Sequence, residues 1–288
     1  MSFLTINNLT AHFGKRPVLR DVSLSVQTGE VCGLVGESGA GKSMIGKAVL
    51  GTLPLAIAAT GGEIILDGVD LQSLLPKQRR QIIGAKTALI PQDPLTALNP
   101  SRRVGAQITN RLVDILGWRK AEAEHRVLDL LGEVQIEDPE RVMLCYPHEL
   151  SGGMRQRLLI AAAFAAEPQL IIADEPTTAL DVTVQKQILR LIKEMQARYG
   201  TALLFVTHDL GVVSKVCQKL LVLYDGMVLE QTSVEDFFTG PSHSYSKALL
   251  ETTPKYTDPT GSLTPIPQEV LERARAQVAA YDRMQNHV

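Results

Sequence analysis

Gly36-Glu37-Ser38-Gly39-Ala40-Gly41-Lys42-Ser43 sets two glycines with four residues between them ahead of a lysine and a hydroxyl residue, the spacing of a phosphate-binding loop. The apolar run Val31-Cys32-Gly33-Leu34-Val35 precedes it and a helix-like stretch follows it, which is the strand–loop–helix context such a loop requires. Glycines let backbone N–H groups converge on phosphate oxygens, and the start of a helix adds partial positive charge. Lys42 is then expected to reach the β and γ phosphates, with Ser43 as a ligand of Mg²⁺. The bland alternative is a glycine-rich turn. A chance match in a chain of this length is on the order of one in a hundred at ordinary glycine content, and the flanking pattern lowers it further.

Outward from the loop, Leu170-Ile171-Ile172-Ala173 stops at Asp174-Glu175, and Ala202-Leu203-Leu204-Phe205-Val206 stops at Thr207-His208-Asp209. With Val31–Val35 these runs predict buried parallel strands whose polar C-terminal ends face a ligand. Side chains alternate along a strand, so adjacent carboxylates diverge. Asp174 is suited to the Mg²⁺ shell and Glu175 to the attacking water. An Asp-Glu pair alone reads as a solvated turn; a phosphate loop in the same chain reverses that reading.

Toward the N-terminus, apolar alternation from Leu4 to Val26 around Gly14-Lys15-Arg16-Pro17 predicts a small antiparallel β layer. Between about Pro94 and Ile136, Val104, Ile108, Leu112 and Ile115 recur at helical spacing, followed by Glu122 and Arg126 as an exposed i,i+4 pair. We read this stretch as an inserted helical subdomain. After Gly240, Pro241, Pro254, Pro259, Pro265 and Pro267 mark a linker-like segment. A last helix is predicted to begin near Pro267, with Val270, Ala274, Val278 and Tyr281 on one side.

Composition excludes several classes. Of 288 residues, 29 are basic and 31 acidic, for a net charge of −2, so bulk charge supports no nucleic-acid or membrane-surface role. The uncharged run Ala48 to Gly62 is broken by Gly51, Pro54 and Gly61, whereas a membrane span needs about 20 continuous apolar residues. The start MSFLTINNLT lacks the basic and apolar regions of a signal peptide, and a cytosolic location is expected. Cys32, Cys145 and Cys217 lie far apart, without disulfide or metal-ligand spacing, and read as buried or incidental thiols.

These features point to nucleotide chemistry without fixing its class. No Asn-Lys dipeptide occurs in the chain, which argues against the usual guanine-reading motif. Leu150-Ser151-Gly152-Gly153-Met154-Arg155-Gln156-Arg157 resembles the LSGGQ signature of ATP-binding cassette (ABC) ATPases, with Met154 where glutamine is commonest. Ser151, Gly152 and Gly153 opening a helix form a second anion site, expected to serve another protomer's nucleotide; alone, the segment would read as a plain serine cap. The resemblance extends over about residues 3 to 240. It implies adenine stacking by Phe13, a Q-loop glutamine at Gln92 near Mg²⁺, a D-loop at Ala179-Leu180-Asp181 and a switch histidine at His208. The implied fold is α/β, a P-loop NTPase core with a parallel sheet, an N-terminal antiparallel β layer and an inserted helical subdomain. Its parts are residues 1–93 and 156–240 for the core, 94–155 for the subdomain and 241–288 for an extension.

Pro91-Gln92-Asp93-Pro94-Leu95-Thr96-Ala97-Leu98-Asn99-Pro100, Tyr146-Pro147-His148-Glu149 and Pro241-Ser242-His243-Ser244-Tyr245-Ser246-Lys247-Ala248-Leu249-Leu250 are similar to the oligopeptide, dipeptide and nickel importer ATPases. Ser244 and Ser246 replace that group's proline and threonine, and its C-terminal cysteine cluster is absent from this sequence, so no iron–sulfur cluster is expected. His148 and Trp118 are read as structural. The resemblance implies an ATP- and Mg²⁺-dependent ATPase on the cytoplasmic face of the inner membrane. It would energise peptide uptake with a second, different ATP-binding subunit, two permeases and an extracytoplasmic solute-binding protein, and without nucleic acid. Rival readings are a nickel or metal-chelate importer and a non-transport ABC ATPase.

Overall fold

The computed structural model describes residues 2–178, 180–253 and 265–285; Ala179, Pro254 and Pro259 lie outside the described residues. The chain opens with β1 (Ser2–Phe13) and β2 (Arg16–Gln27), then β3 (Val31–Val35), α1 (Lys42–Val49), β4 (Ile57–Leu66) and the short β5 (Val69–Asp70). α2 (Pro76–Lys86) and β6 (Thr87–Ile90) lead into the helices α3 (Pro94–Ala97), α4 (Val104–Asp114), α5 (Lys120–Glu133), α6 (Pro139–Leu144) and α7 (Gly152–Phe164). β7 (Leu170–Asp174), α8 (Val182–Tyr199), β8 (Ala202–Val206), α9 (Leu210–Val216), β9 (Lys219–Tyr224) and β10 (Met227–Ser233) follow. The chain closes with α10 (Val234–Thr239), α11 (Ser244–Glu251) and α12 (Gln268–Gln285).

Contacts divide the chain into two units. One comprises residues 5–25, 31–65 and the chain from 206 onward, with strand order β4-β1-β2-β10-β9-β3. The N-terminal hairpin turns through Gly14 and Lys15, and Arg16 and Pro17 already belong to β2. Its alternation changes phase twice: Ile6 is buried and then Leu9 and Ala11, and Leu19 is buried and then Val22 and Leu24. Asn8 and Asp21, both at φ 52°, sit at these changes. An extra left-handed residue in a strand turns the following side chains to the opposite face, and Asn and Asp tolerate that conformation best. β9 pairs parallel with β3 and antiparallel with β10, and β10 pairs parallel with β2 at Met227 and Arg20.

The other unit holds residues 1–4, 26–30 and 66–205. Its strands run in the order β8-β7-β6, and β6 pairs parallel with β7, Ile90 opposite Ala173. β7 and β8 are apolar almost throughout because both faces are covered. In α4, Val104, Ile108 and Leu112 are buried, but Ile115 is 60% exposed: the helix ends at Asp114 and Ile115 is its cap, off the buried face. The expected Glu122–Arg126 pair does not form. Arg126 lies over the Tyr199 ring at 5.2 Å and pairs with Glu167 at 3.1 Å, while Glu122 approaches Arg119 at 3.7 Å. Long side chains lay their stems on packed apolar surface when one is in reach. Cys32 and Cys217 are buried and Cys145 half-buried, none of them in a disulfide. Among the described residues no helix is long and apolar enough to cross a membrane.

Candidate nucleotide site

The Gly36–Ser43 loop joins β3 to α1. At Gly36, φ is 149° and an added Cβ would stand 2.3 Å from the Leu223 carbonyl oxygen; any side chain would push the loop off β9. Lys42 is 4% exposed. Its Nζ donates to the carbonyl oxygens of Gly36 and Glu37, 2.8 Å each, which fixes the ammonium under the loop it serves. Gly41 caps α1 without a side-chain hydrogen bond, so the cap sets no carboxylate or hydroxyl against an incoming anion. Ala40 is buried, and its carbonyl accepts from the Gly226 amide at 2.9 Å. Glu37, Ser38 and Gly39 form the exposed rim, and Ser43 is half-buried. A convergent backbone around a fixed cation suits a polyphosphate.

In the same unit, Phe13 ends β1 with its ring 55% exposed, a surface on which a flat heterocycle can stack. His208 is exposed beyond β8. Thr207 and Asp209 hold it in place: the Asp209 amide donates to the Thr207 hydroxyl at 3.0 Å, and the Asp209 carboxylate caps α9 by accepting from Gly211 at 2.8 Å and Val212 at 3.3 Å.

In the other unit, β7 delivers Asp174, and Glu175 follows at φ 46°. A glutamate in the left-handed region is uncommon and persists where its surroundings hold it. Here Glu175 Oε2 accepts from the Thr178 hydroxyl at 2.9 Å and from Gln92 Nε2 at 3.2 Å. Register explains the second bond: Ile90 lies opposite Ala173, so Gln92 and Glu175, each two residues further along, leave parallel strands at one level. Sequence reasoning did not single out Thr178. The signal was a hydroxyl one turn beyond the carboxylate, in Glu175-Pro176-Thr177-Thr178.

Ser151 caps α7, its hydroxyl accepting from the Met154 amide at 3.3 Å, so the plain cap is realised. Gly152 is exposed and an added Cβ there would meet nothing within 4 Å, leaving the approach to the helix start unobstructed. Arg155 and Arg157 fix that helix by donating to the Pro147 and Val134 carbonyls at 2.8 and 2.7 Å. Asp181, exposed, caps α8 by accepting from Thr183 and Val184 at 3.0 and 2.9 Å. His148 stacks on Tyr146 with ring centres 5.7 Å apart. The structure thus gathers the phosphate loop around Lys42, and separately Gln92 with Glu175.

A sequence profile of the family described as ABC transporter matches residues 19–178, more than half of the chain. The chain is 49% identical over 257 residues to a probable peptide ABC transporter ATP-binding protein of Sinorhizobium fredii, covering 87% of this chain and 76% of that protein. It is 42% identical over 272 residues to a dipeptide transport ATP-binding protein of Escherichia coli, covering 93% and 83%. Among solved structures it resembles cbiO1 of Clostridium perfringens, part of an ABC transporter complex, with TM-score 0.73 and 25% identity over 83% of this chain and 91% of that one. It also resembles a dimeric ATP-binding cassette in a post-hydrolysis state with ADP and Pi, with TM-score 0.70 and 28% identity over 80% and 98%. The phosphate loop, the Asp174-Glu175 strand end and these likenesses agree: the chain belongs to the ABC transporter family, as one of its ATP-binding, ATP-hydrolysing subunits.

Proposed function

We propose that this subunit energises import of short peptides, docked on the cytoplasmic face of the inner membrane against two permeases, with an extracytoplasmic binding protein delivering cargo. The observation that carries the cargo reading is the extent of likeness to the E. coli relative named for dipeptide transport: the alignment takes in 93% of this chain, well beyond the residues 19–178 that the family profile covers. Residues 94–155 serve as the permease-facing subdomain between the two parts of the core, 1–93 and 156–240, and 241–288 form an extension.

The residues take the following roles. Phe13 stacks on adenine, and the Gly36–Ser43 amides with Lys42 hold the phosphates and stabilise charge as the γ-phosphoryl group transfers. Glu175, oriented by Thr178 and Gln92, positions the attacking water and takes its proton. His208 supports the γ-phosphate. Ser151, Gly152, Gly153 and Asp181 act on a nucleotide held by a second, different ATP-binding subunit. Mg²⁺ is a hard ion held by few protein oxygens plus phosphate. The Ser43 hydroxyl, Asp174 carboxylate and Gln92 amide would hold it, and when bound it neutralises charge on the phosphates.

The test is uptake in a strain deleted for this gene and complemented with wild type or Glu175→Gln. Labelled di- and oligopeptide uptake should return with wild type alone. Intact peptide uptake in the deletion strain, with nickel uptake lost, would overturn the cargo reading.

A further inference from the structure

The C-terminal extension reaches back to the phosphate loop through a buried cation. Arg20, on β2, is 5% exposed. Its guanidinium makes a two-pronged contact with Asp282 of α12, Nε to Oδ1 at 2.8 Å and Nη2 to Oδ2 at 3.1 Å. It also donates to the Asp225 carbonyl and lies 3.5 Å from the Asp225 carboxylate. Asp225 and Gly226, at φ 43° and 76°, form the tight turn between β9 and β10. That turn is part of the loop's support: the Arg20 amide donates to the Gly226 carbonyl at 2.8 Å, and the Gly226 amide donates to Ala40 of the phosphate loop at 2.9 Å. There is no slack, since an added Cβ on Gly226 would lie 2.1 Å from the Val18 oxygen and one on Gly41 would lie 3.3 Å from the Gly226 Cα.

A second contact line starts from α11. Tyr245 is fully buried and meets Tyr224 edge-on, 5.0 Å between ring centres. Burial, and then the Glu37 carboxylate of the loop, push its phenol pKa up. α11 and α12 are themselves joined, His243 Nε2 lying 3.1 Å from Gln277 Oε1.

We propose that Asp282 and Arg20 are positioning residues for ATP binding: α12, held by Asp282, fixes Arg20 and through it the turn that shapes the phosphate loop. The proposal rests on the reading of Gly36–Ser43 as the ATP site. Charged two-pronged contacts are geometrically stiff, and coupling between ligand and helix must run both ways. ATP should therefore tighten α12 as α12 tightens the ATP site.

The experiment uses the full chain, with wild type, Asp282→Ala, Asp282→Glu and, as a control on the site itself, Lys42→Ala. Asp282→Ala leaves Arg20 its Asp225 partner. Three quantities are read: the ATP dissociation constant, hydrogen exchange of α12 amides with and without ATP, and the melting temperature. Asp282→Ala should weaken ATP about three- to tenfold and abolish the ATP-dependent slowing of exchange in α12, and Asp282→Glu should restore most of both. If wild type binds ATP, Lys42→Ala does not, and Asp282→Ala matches wild type in both readouts, the proposal is wrong while the ATP site stands. If Lys42→Ala binds ATP normally, the site reading itself fails. A lowered melting temperature with unchanged ATP affinity and unchanged α12 response would leave Asp282 a purely structural contact and overturn the proposal.

Discussion

Glu175 carries two hydrogen bonds on one carboxylate oxygen, from Thr178 and Gln92. In the proposed mechanism this carboxylate takes a proton from water. Glu175→Gln keeps the shape and removes the base, so phosphate release should fall about 10²- to 10⁴-fold with ATP still bound, read as nucleotide occupancy beside phosphate release; undiminished release would exclude the role. Gln92→Ala takes one restraint from Glu175 and alters the start of the helical segment. ATP affinity should change little while peptide uptake falls about tenfold, and affinity lost in proportion to uptake would place Gln92 at the nucleotide alone. At this scale the sequence was most informative, because Gly36, Gly41, Lys42 and Asp174-Glu175 are demanded by local spacing. The Gln92–Glu175 bond was hidden for a physical reason: it depends on the register of β6 with β7, and Thr87-Ala88-Leu89-Ile90 is too short to announce itself as a strand. Ile115 was misplaced because periodicity continues past a helix end that only packing defines.

Among the elements, α7 matters most because its first turn is held and yet approachable: Ser151 caps it, Arg157 anchors it, and Gly152 is exposed. Ser151→Arg should cost about 1 kcal/mol in helix capping, leave ATP binding by this chain's own loop intact, and block closure over a partner's nucleotide. Photolabelling with an ATP analogue in the assembled transporter separates the outcomes; lost labelling of this chain's own loop, with the partner's spared, would refute action across the pair. At the start of α11, Glu230 accepts from the Ser242 amide and hydroxyl at 2.6 and 2.7 Å and from the His243 amide at 3.1 Å. Burial pushes its carboxyl up, but the nearby Ser246 hydroxyl and the hydrogen bonds from Ser242 and His243 outweigh that and hold its pKa below the ordinary 4.5. A lowered native pKa contributes stability above the unfolded value and loses it as pH falls through the native one. Glu230→Gln should therefore be less stable near neutrality and show a shallower acid limb below pH 4.5 in melting scans; an acid limb parallel to wild type would remove Glu230 from that role. Sequence reasoning did not single out the β9–β10 turn, although Asp225-Gly226 is a pair that favours left-handed turns, and β6 and β9 show themselves only once paired.

For the molecule as a whole, the sheet around the phosphate loop joins strands from opposite ends of the chain. β10 lies between β2 and β9, and Met227 pairs with Arg20. During synthesis, β2 therefore waits for roughly 200 further residues, about 10 to 40 s at ordinary translation rates, with one edge unpaired. Exposed strand edges invite association with other chains, and the two left-handed residues of the first hairpin, Asn8 and Asp21, interrupt the regular ladder during that interval. Ribosome-bound chains stopped at Gly226 should bind chaperones and be cleaved readily within residues 5–25, whereas chains extended past Ser233 should protect that segment; equal protection in both would show that the hairpin is stable before its distant partner arrives. The Arg20–Asp282 contact joins residues 262 apart in sequence, so on the proposed coupling a chain stopped short of Asp282 lacks the partner that fixes Arg20 and should bind ATP more weakly.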